Sequence, residues 1–263
     1  MNDPNIHQSQ PIILALDTSA RCTGIALAHG ETIIESLVVP GDERRSERLW
    51  LDLSELLQSA GLTIAAVDLF GVCVGPGGFT GLRVGLAAVK GLAAATGKPI
   101  AGVTALEAAA FTAANLATTV CAMVGAYKGE VYWQRFAFDD RGLPVALSEP
   151  LVSTSTEAVG QVADLPDLVF VGDAVEAKAE VIREIAGARF RDETNALGSG
   201  WRIHRATYSI AEAVAHVAYL KWQRGAVETA ADLQALYVRP AEAEVKLSLG
   251  LLGSKIERSR KAD

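Results

Sequence analysis

Cysteine, aromatic residues and basic charge are all scarce in this chain, and each shortage removes a class of function. Three cysteines, Cys22, Cys73 and Cys121, stand among 263 residues, with no CxxC between them. An odd count without that spacing suits neither a disulfide framework nor a cysteine-rich zinc site. All three sit in apolar, strand-like runs, as buried thiols of a reducing cytoplasm would. Aromatics make up 6%, too few for the stacking platform that single-stranded nucleic acid demands. Lys and Arg number 24 against 31 Asp and Glu, a net charge of −7. A chain built to grip a phosphate backbone carries a basic face, so nucleic acid is expected only through a partner or a small patch. Four histidines, His7, His29, His204 and His216, include no i, i+3 or i, i+4 pair, so no helical zinc pair is expected and a zinc endopeptidase is disfavoured. No GxSxG is present. Met1 to Gln10 is polar and has no apolar signal core, so the expected location is the cytoplasm. The longest uncharged stretch, 108–127, contains Thr112, Asn115, Thr118 and Thr119. It reads as a helix ending near Leu116 and then a strand Val120–Val124, not as a membrane span.

What is present is enough apolar material for a full core: half of the residues are hydrophobic. Ile12–Leu16, Thr23–Ala28 and Thr32–Val39 read as three strands, the last two joined by a turn at His29-Gly30-Glu31. From Glu43 to Ala60 the period is helical, with Leu49, Leu53, Leu56 and Leu57 on one stripe, and Gly61 ends the helix. Val67–Val74 is a buried strand, Phe79–Thr96 a helix closed by Gly97 and Pro99, Ile100–Val103 a short strand, and another helix starts near Thr104. The order is β-β-β-α-β-α-β-α. From Val120 it begins again: strands Val120–Val124, Glu130–Phe138 and Val145–Val152, a helix Ser155–Ala163, a strand Leu168–Val171 ending in Gly172-Asp173, and helices Glu176–Ala186 and Ile210–Trp222. This predicts an α/β fold of two duplicated lobes, 11–106 and 107–240, the last helix packing back on the first lobe, with a mobile basic tail at 241–263.

Two segments carry candidate chemistry. Asp17-Thr18-Ser19 follows the first strand, where an Asp can hold hydrated Mg²⁺ and a hydroxyl can meet a phosphate. The plainer alternative, favoured on spacing, is an Asx or ST turn between strands. Gly75-Pro76-Gly77-Gly78 leads into a helix N-terminus, a place where backbone N–H groups bind anions, but the P-loop pattern is absent. Inside that helix Gly81, Gly85 and Ala88 share one face, and each glycine costs about 1 kcal/mol relative to alanine. Such a face admits either a partner helix or the lobe's own sheet, and spacing does not choose. In the second lobe Gly125-Ala126-Tyr127 occupies the place of Asp17-Thr18-Ser19, and this second turn has no acid of its own.

Ile13-Leu14-Ala15-Leu16-Asp17-Thr18-Ser19, the run from Gly75-Pro76-Gly77-Gly78 to Gly85, Gly129-Glu130-Val131-Tyr132-Trp133 and Leu236-Tyr237-Val238-Arg239-Pro240 resemble the TsaB (YeaZ) family, in the family's order from Pro11 to Pro240. The resemblance implies a two-lobed fold of the actin, sugar-kinase and Hsp70 (ASKHA) type. It implies a non-catalytic subunit in the formation of N6-threonylcarbamoyladenosine at position 37 of ANN-decoding tRNAs. That subunit dimerises with a TsaD-like catalytic chain, a TsaE-like ATPase joins the pair, and tRNA is reached through the complex. It has neither catalytic nor metal residues of its own. In the family the interface uses the first two helices. The resemblance therefore implies partner contact through Leu49, Leu53, Leu56, Gly81, Leu82, Gly85 and Ala88; the same face could pair two copies of the chain about a two-fold axis, and the sequence leaves homodimer and monomer open for the chain alone. Asp17, Thr18, Gly75 and Gly77 are the residues to hold Mg-ATP, if any is held. The chain departs from the family at Arg45-Ser46 (His-Ser elsewhere), at Gly78 (Ser elsewhere) and at Gly125-Ala126-Tyr127-Lys128 (Asp-Ala-Arg elsewhere). These departures weaken nucleotide chemistry and leave a scaffold role intact. A self-sufficient ASKHA-type ATPase or kinase is the alternative.

Overall fold

The computed structural model describes residues 10–20, 22–40, 45–116, 119–191, 199–205 and 210–239. In the first lobe β1 (Ile12–Asp17), β2 (Cys22–His29) and β3 (Thr32–Pro40) form an antiparallel meander, and β4 (Leu69–Cys73) and β5 (Ile100–Val103) extend it in parallel. The strand order is β3-β2-β1-β4-β5. Side chains alternate between the two faces of a strand, and both faces here are apolar. Leu14 and Leu16 point to one core with Ile25, Leu27, Phe70 and Val72. Ile13 and Ala15 point to the other with Ala26 and Ala28. Helices α1 (Arg45–Ser59) and α2 (Phe79–Thr96) cover the leucine-rich face.

The second lobe repeats the plan. Strands β6 (Val120–Gly125), β7 (Val131–Phe138), β8 (Pro144–Ala146), β9 (Leu151–Ser153), β10 (Leu168–Val171) and β11 (Trp201–Ile203) follow in order. They assemble as β11-β10-β6-β7-β8, with β9 also paired to β7. Helices α4 (Ser155–Gly160) and α5 (Ala179–Ala186) close one face over Met123, Trp133, Phe170 and Trp201.

Two alanine-rich helices join the lobes by exchange. Helix α3 (Ala105–Phe111) follows the first lobe's last strand yet packs on β6 and β7, and the lobe boundary expected at 106/107 falls inside it. Helix α6 (Ile210–Gln223) follows the second lobe's last strand yet packs on β1, β2 and β4. The two helices meet, and one apolar core runs through both sheets. Small side chains make this possible: a Cβ on Gly24 would lie 2.9 Å from the Ala211 methyl, and one on Gly71 would lie 3.1 Å from that of Ala218.

The structure corrects several expected elements. The helix beginning at Thr104 stops at Phe111 and continues as turns to Leu116. The strand expected over Val145–Val152 is two short ones, broken where Pro150 has no N–H to give. The helix expected to reach Ala163 ends at Gly160, and Glu176–Lys178 is a single 3₁₀ turn before α5. Strand β11 was not foreseen. Cys73 and Cys121 are buried, whereas Cys22 is exposed at the first position of β2. The expected tail, 241–263, lies outside the described residues, and so does His7. Among the described residues no helix is long and apolar enough to cross a membrane.

Candidate functional site

The turn after β1 is closed on itself. Asp17 is 3% exposed, and its Oδ1 accepts the Ser19 backbone N–H at 2.9 Å and the Ser19 hydroxyl at 2.6 Å. The Ser19 oxygen lies 3.3 Å from Cys73 Sγ. Burial pushes the Asp17 carboxyl above its usual range, the Ser19 hydrogen bonds pull it back, and the negative charge of Asp173 adds a further push upward. Burial and the Asp17 charge raise the Cys73 thiol well above its ordinary value, so it stays protonated.

The glycine loop seals this turn from the other side. Gly78 N–H donates to Ser19 O at 2.7 Å, and the Thr18 hydroxyl donates to Gly81 O at 2.7 Å. A Cβ on Gly77 would stand 2.7 Å from Ser19 O, one on Gly81 2.0 Å from Thr18 O, and one on Gly85 2.3 Å from Thr18 Oγ1. Gly75, at φ +100°, has Leu236 O where its Cβ would be, at 2.9 Å. These glycines let α2 lie directly on the turn.

This geometry revises both residue sets drawn from the sequence. The face of Gly81, Gly85 and Ala88 meets the chain's own interior and is not open to a partner helix. Leu49, Leu53, Leu56 and Leu82 are buried in the first lobe's core, as is Ala88. The apolar side chains that α1 does turn outward are Trp50 and Leu51, 51% and 52% exposed. On α2 the exposed residues are Thr80, Arg83, Ala87, Gly91, Ala94 and Ala95. Ala87, Gly91 and Ala94 share a face at i, i+4, i+7, and nothing lies within 4 Å of a Cβ built on Gly91. A glycine in mid-helix with no neighbour was the sequence signal for this outer stripe.

The Asp17, Thr18, Gly75 and Gly77 set does not fit hydrated Mg²⁺. Magnesium keeps several waters and needs room for them, while the Asp17 oxygen that faces the turn already accepts two hydrogen bonds and the residue is nearly sealed. Among the described residues no group of three or more His, Cys, Asp or Glu is placed to hold a metal. The second lobe nevertheless has a carboxylate at its turn. Asp173, just after β10, accepts the Gly125 N–H at 2.8 Å through Oδ1. The acid missing from 125–127 is supplied from the neighbouring strand end, and Gly172-Asp173 at that end was its only trace in the sequence. Gly172 stands at φ +113° with Met123 O where a Cβ would go, at 2.1 Å.

Between the lobes is a cavity of about 620 Å³, bounded by Pro76–Phe79 and Leu82, by Gly125–Lys128 and Tyr132, and by the segment Leu236–Arg239. That segment is tied to both lobes. Leu236 N–H donates to Val74 O at 2.8 Å, Tyr237 packs on Phe79 with ring centroids 5.3 Å apart, and Arg239 pairs with Glu130 at 2.7 Å.

A family model described as TsaD: tRNA N6-adenosine threonylcarbamoyltransferase matches residues 38–244, most of the chain. The tRNA threonylcarbamoyladenosine biosynthesis protein TsaB of Escherichia coli (strain K12) is 32% identical over 133 residues, which are 50% of this chain and 57% of that protein. The chain belongs to this TsaD-like family, and within it to the TsaB (YeaZ) group. The TsaB protein of Bacillus subtilis is 31% identical over 120 residues, 46% of this chain and 52% of that protein. The match thus spans little more than half the length of these curated relatives. A crystal structure from Pseudomonas aeruginosa, described as a protein with similarity to peptidase YEAZ, superposes with a TM-score of 0.70 at 27% identity. It covers 87% of this chain and 100% of that one. The two-lobed α/β fold with a repeated strand plan, expected from the sequence, is the fold observed.

Proposed function

We propose that this chain is a supporting, non-catalytic subunit in the formation of threonylcarbamoyladenosine in tRNA. It pairs with a TsaD-like catalytic chain, a TsaE-like ATPase joins the pair, and tRNA is met through the complex. The observation that carries the reading is the closed turn at Asp17. In a phosphotransferase of this architecture that carboxylate would serve a metal, and here it is committed to Ser19 and buried. The name of the E. coli relative supplies the process. The outer face of α1 and α2, with Trp50, Leu51 and the Ala87–Gly91–Ala94 stripe, is the docking surface. Small residues there let a partner helix come close, and the exposed indole is the kind of anchor on which interfaces depend.

The test is co-purification with a TsaD-like chain. Wild type is expected to form a stable pair, and Gly91→Arg to lose it while keeping its fold, because the space at Gly91 is open. Normal pairing by Gly91→Arg together with Trp50→Ala would remove this face from the interface. If the chain alone self-associates, the same two variants report whether that contact uses the same face.

The second reading, an ATPase or kinase acting alone, is favoured by one observation: Asp173 restores a carboxylate to the second lobe's turn. Calorimetric titration with Mg-ATP decides it. Turnover that is lost in Asp173→Ala would establish this reading in place of the scaffold.

A further inference from the structure

A second cavity, of about 450 Å³, lies at the end of the lobes away from the cleft. Glu31 lines it from the turn after β2, whose last residue, His29, pairs with Ile12 at the start of β1. Arg141 and Gly142 line it from the β7–β8 turn, beyond Phe136, which pairs with Val120 at the start of β6. The cleft turns at Asp17 and Gly125 stand at the opposite ends of those two strands. Here α3 and α6 meet, and Phe111 stacks on His216. The volume is that of a small-molecule site.

The cavity holds polar groups that the fold does not use. Tyr219, on α6, is only 6% exposed, and a tyrosine so deeply buried ordinarily pairs its hydroxyl. Among the described residues this hydroxyl has no partner. It is not sealed off either, so it opens on the cavity that the side chain lines. Arg141 and Glu31 are likewise uncommitted, since among the described residues neither has an ion pair. Asp139, in the turn that carries Arg141, is held by Arg224 and accepts the backbone N–H groups of Arg141 and Leu143. His216 adds an imidazole that burial keeps uncharged at neutral pH. The cavity thus presents one free carboxylate and one free guanidinium, with Phe111, Leu116 and Leu220 as apolar wall.

We propose that this cavity binds a free α-amino acid, its carboxylate at Arg141 and its ammonium at Glu31. The Tyr219 hydroxyl hydrogen-bonds one of these two groups, and an apolar side chain lies against Phe111, Leu116 and Leu220. A zwitterion answers both charges at once. A ligand with a single charge leaves the other unanswered, and charge-assisted hydrogen bonds are the strong ones. The site uses neither the outer face of α1 and α2 nor the cleft, so its failure would leave the subunit reading standing.

Isothermal titration of the full chain with L-leucine at neutral pH tests it. Two controls, 4-methylpentanoate and 3-methylbutylamine, are leucine without its ammonium and leucine without its carboxylate. Leucine is expected to bind with a Kd below about 1 mM, and each single-charge control at least about tenfold more weakly. Arg141→Ala and Glu31→Gln, both at exposed positions, should each weaken leucine at least about tenfold. Tyr219→Phe removes only the oxygen and should weaken leucine at least about threefold. Its thermal midpoint should stay within about 2 °C of wild type, because no protein group loses a bond. A tyrosine kept for packing alone would leave the binding unmoved. No binding by leucine, equal binding by either control, or undiminished binding by any of the three variants would each overturn the proposal.

Discussion

The Thr18 hydroxyl donates to the Gly81 carbonyl across 2.7 Å, and that bond fixes the turn after β1 to the first turn of α2. The glycines on this face of α2 are therefore fitted to the Thr18 backbone and hydroxyl. A helix that pays for several glycines usually has a close neighbour, and here the neighbour is its own chain.

Gly85 and Gly91 should consequently respond in opposite ways to the same change. Gly85→Ala forces a methyl to within 2.3 Å of Thr18 Oγ1 and is expected to cost about 1–3 kcal/mol. Gly91→Ala meets open space and should stabilise the helix by up to about 1 kcal/mol. Urea denaturation of the two variants checks the pair. Equal effects would mean that α2 does not rest on the Thr18 turn.

Trp50 and Leu51 should matter for assembly and little for folding. Both are about half exposed, so Trp50→Ala with Leu51→Ala is expected to change stability by no more than about 0.5 kcal/mol per site. Capture of a TsaD-like chain by the double variant should fall at least about tenfold, as read by surface-immobilised binding.

Asp17 should impose a pH slope on stability. Burial raises its folded-state value above the ordinary one of 3.8, so in the window just above that value the native state holds the proton more firmly than the unfolded chain. Stability contributed by the protonated form is lost as pH rises through the window. Asp17→Asn keeps an oxygen for Ser19 and cannot ionise. The stability difference between variant and wild type should move in the variant's favour as pH rises from about 3.8. A difference independent of pH would show that the carboxyl is not desolvated.

His216 should act in the other direction. It stacks on Phe111 with centroids 5.4 Å apart. Burial lowers its value from 6.5, although Glu212 and Glu31 pull it upward. The unfolded chain takes up the proton first, so stability is lost as pH falls below about 6.5. Melting curves between about pH 5 and 7 should show a shallower slope for His216→Leu than for wild type.

Much of the architecture was legible because the periods are clean. The leucine stripe of α1, the uninterrupted apolar run of β1 and the αL glycine after α2 placed those elements at once. What was not legible depended on neighbours. The spacing of Gly81 and Gly85 announces a close approach without naming what approaches, and Thr18 became the answer only in three dimensions. Asp173 lies 48 positions from the Gly125 N–H that it accepts, and no local pattern links them. Trp50 and Leu51 sit beside the leucine stripe of α1, where a period read for burial passes over the residues facing out. Strand β11 is three residues long with Arg202 in the middle, too short for any alternation to register.

The exchange of α3 and α6 has a consequence for how this chain can be divided. Each half lends the wall that the other half's sheet needs, so a fragment ending near Val103 and one beginning near Val120 would each expose a bare apolar surface. Expressed singly, such pieces should be insoluble. Produced together, with α3 left on one of them, they should recover by complementation.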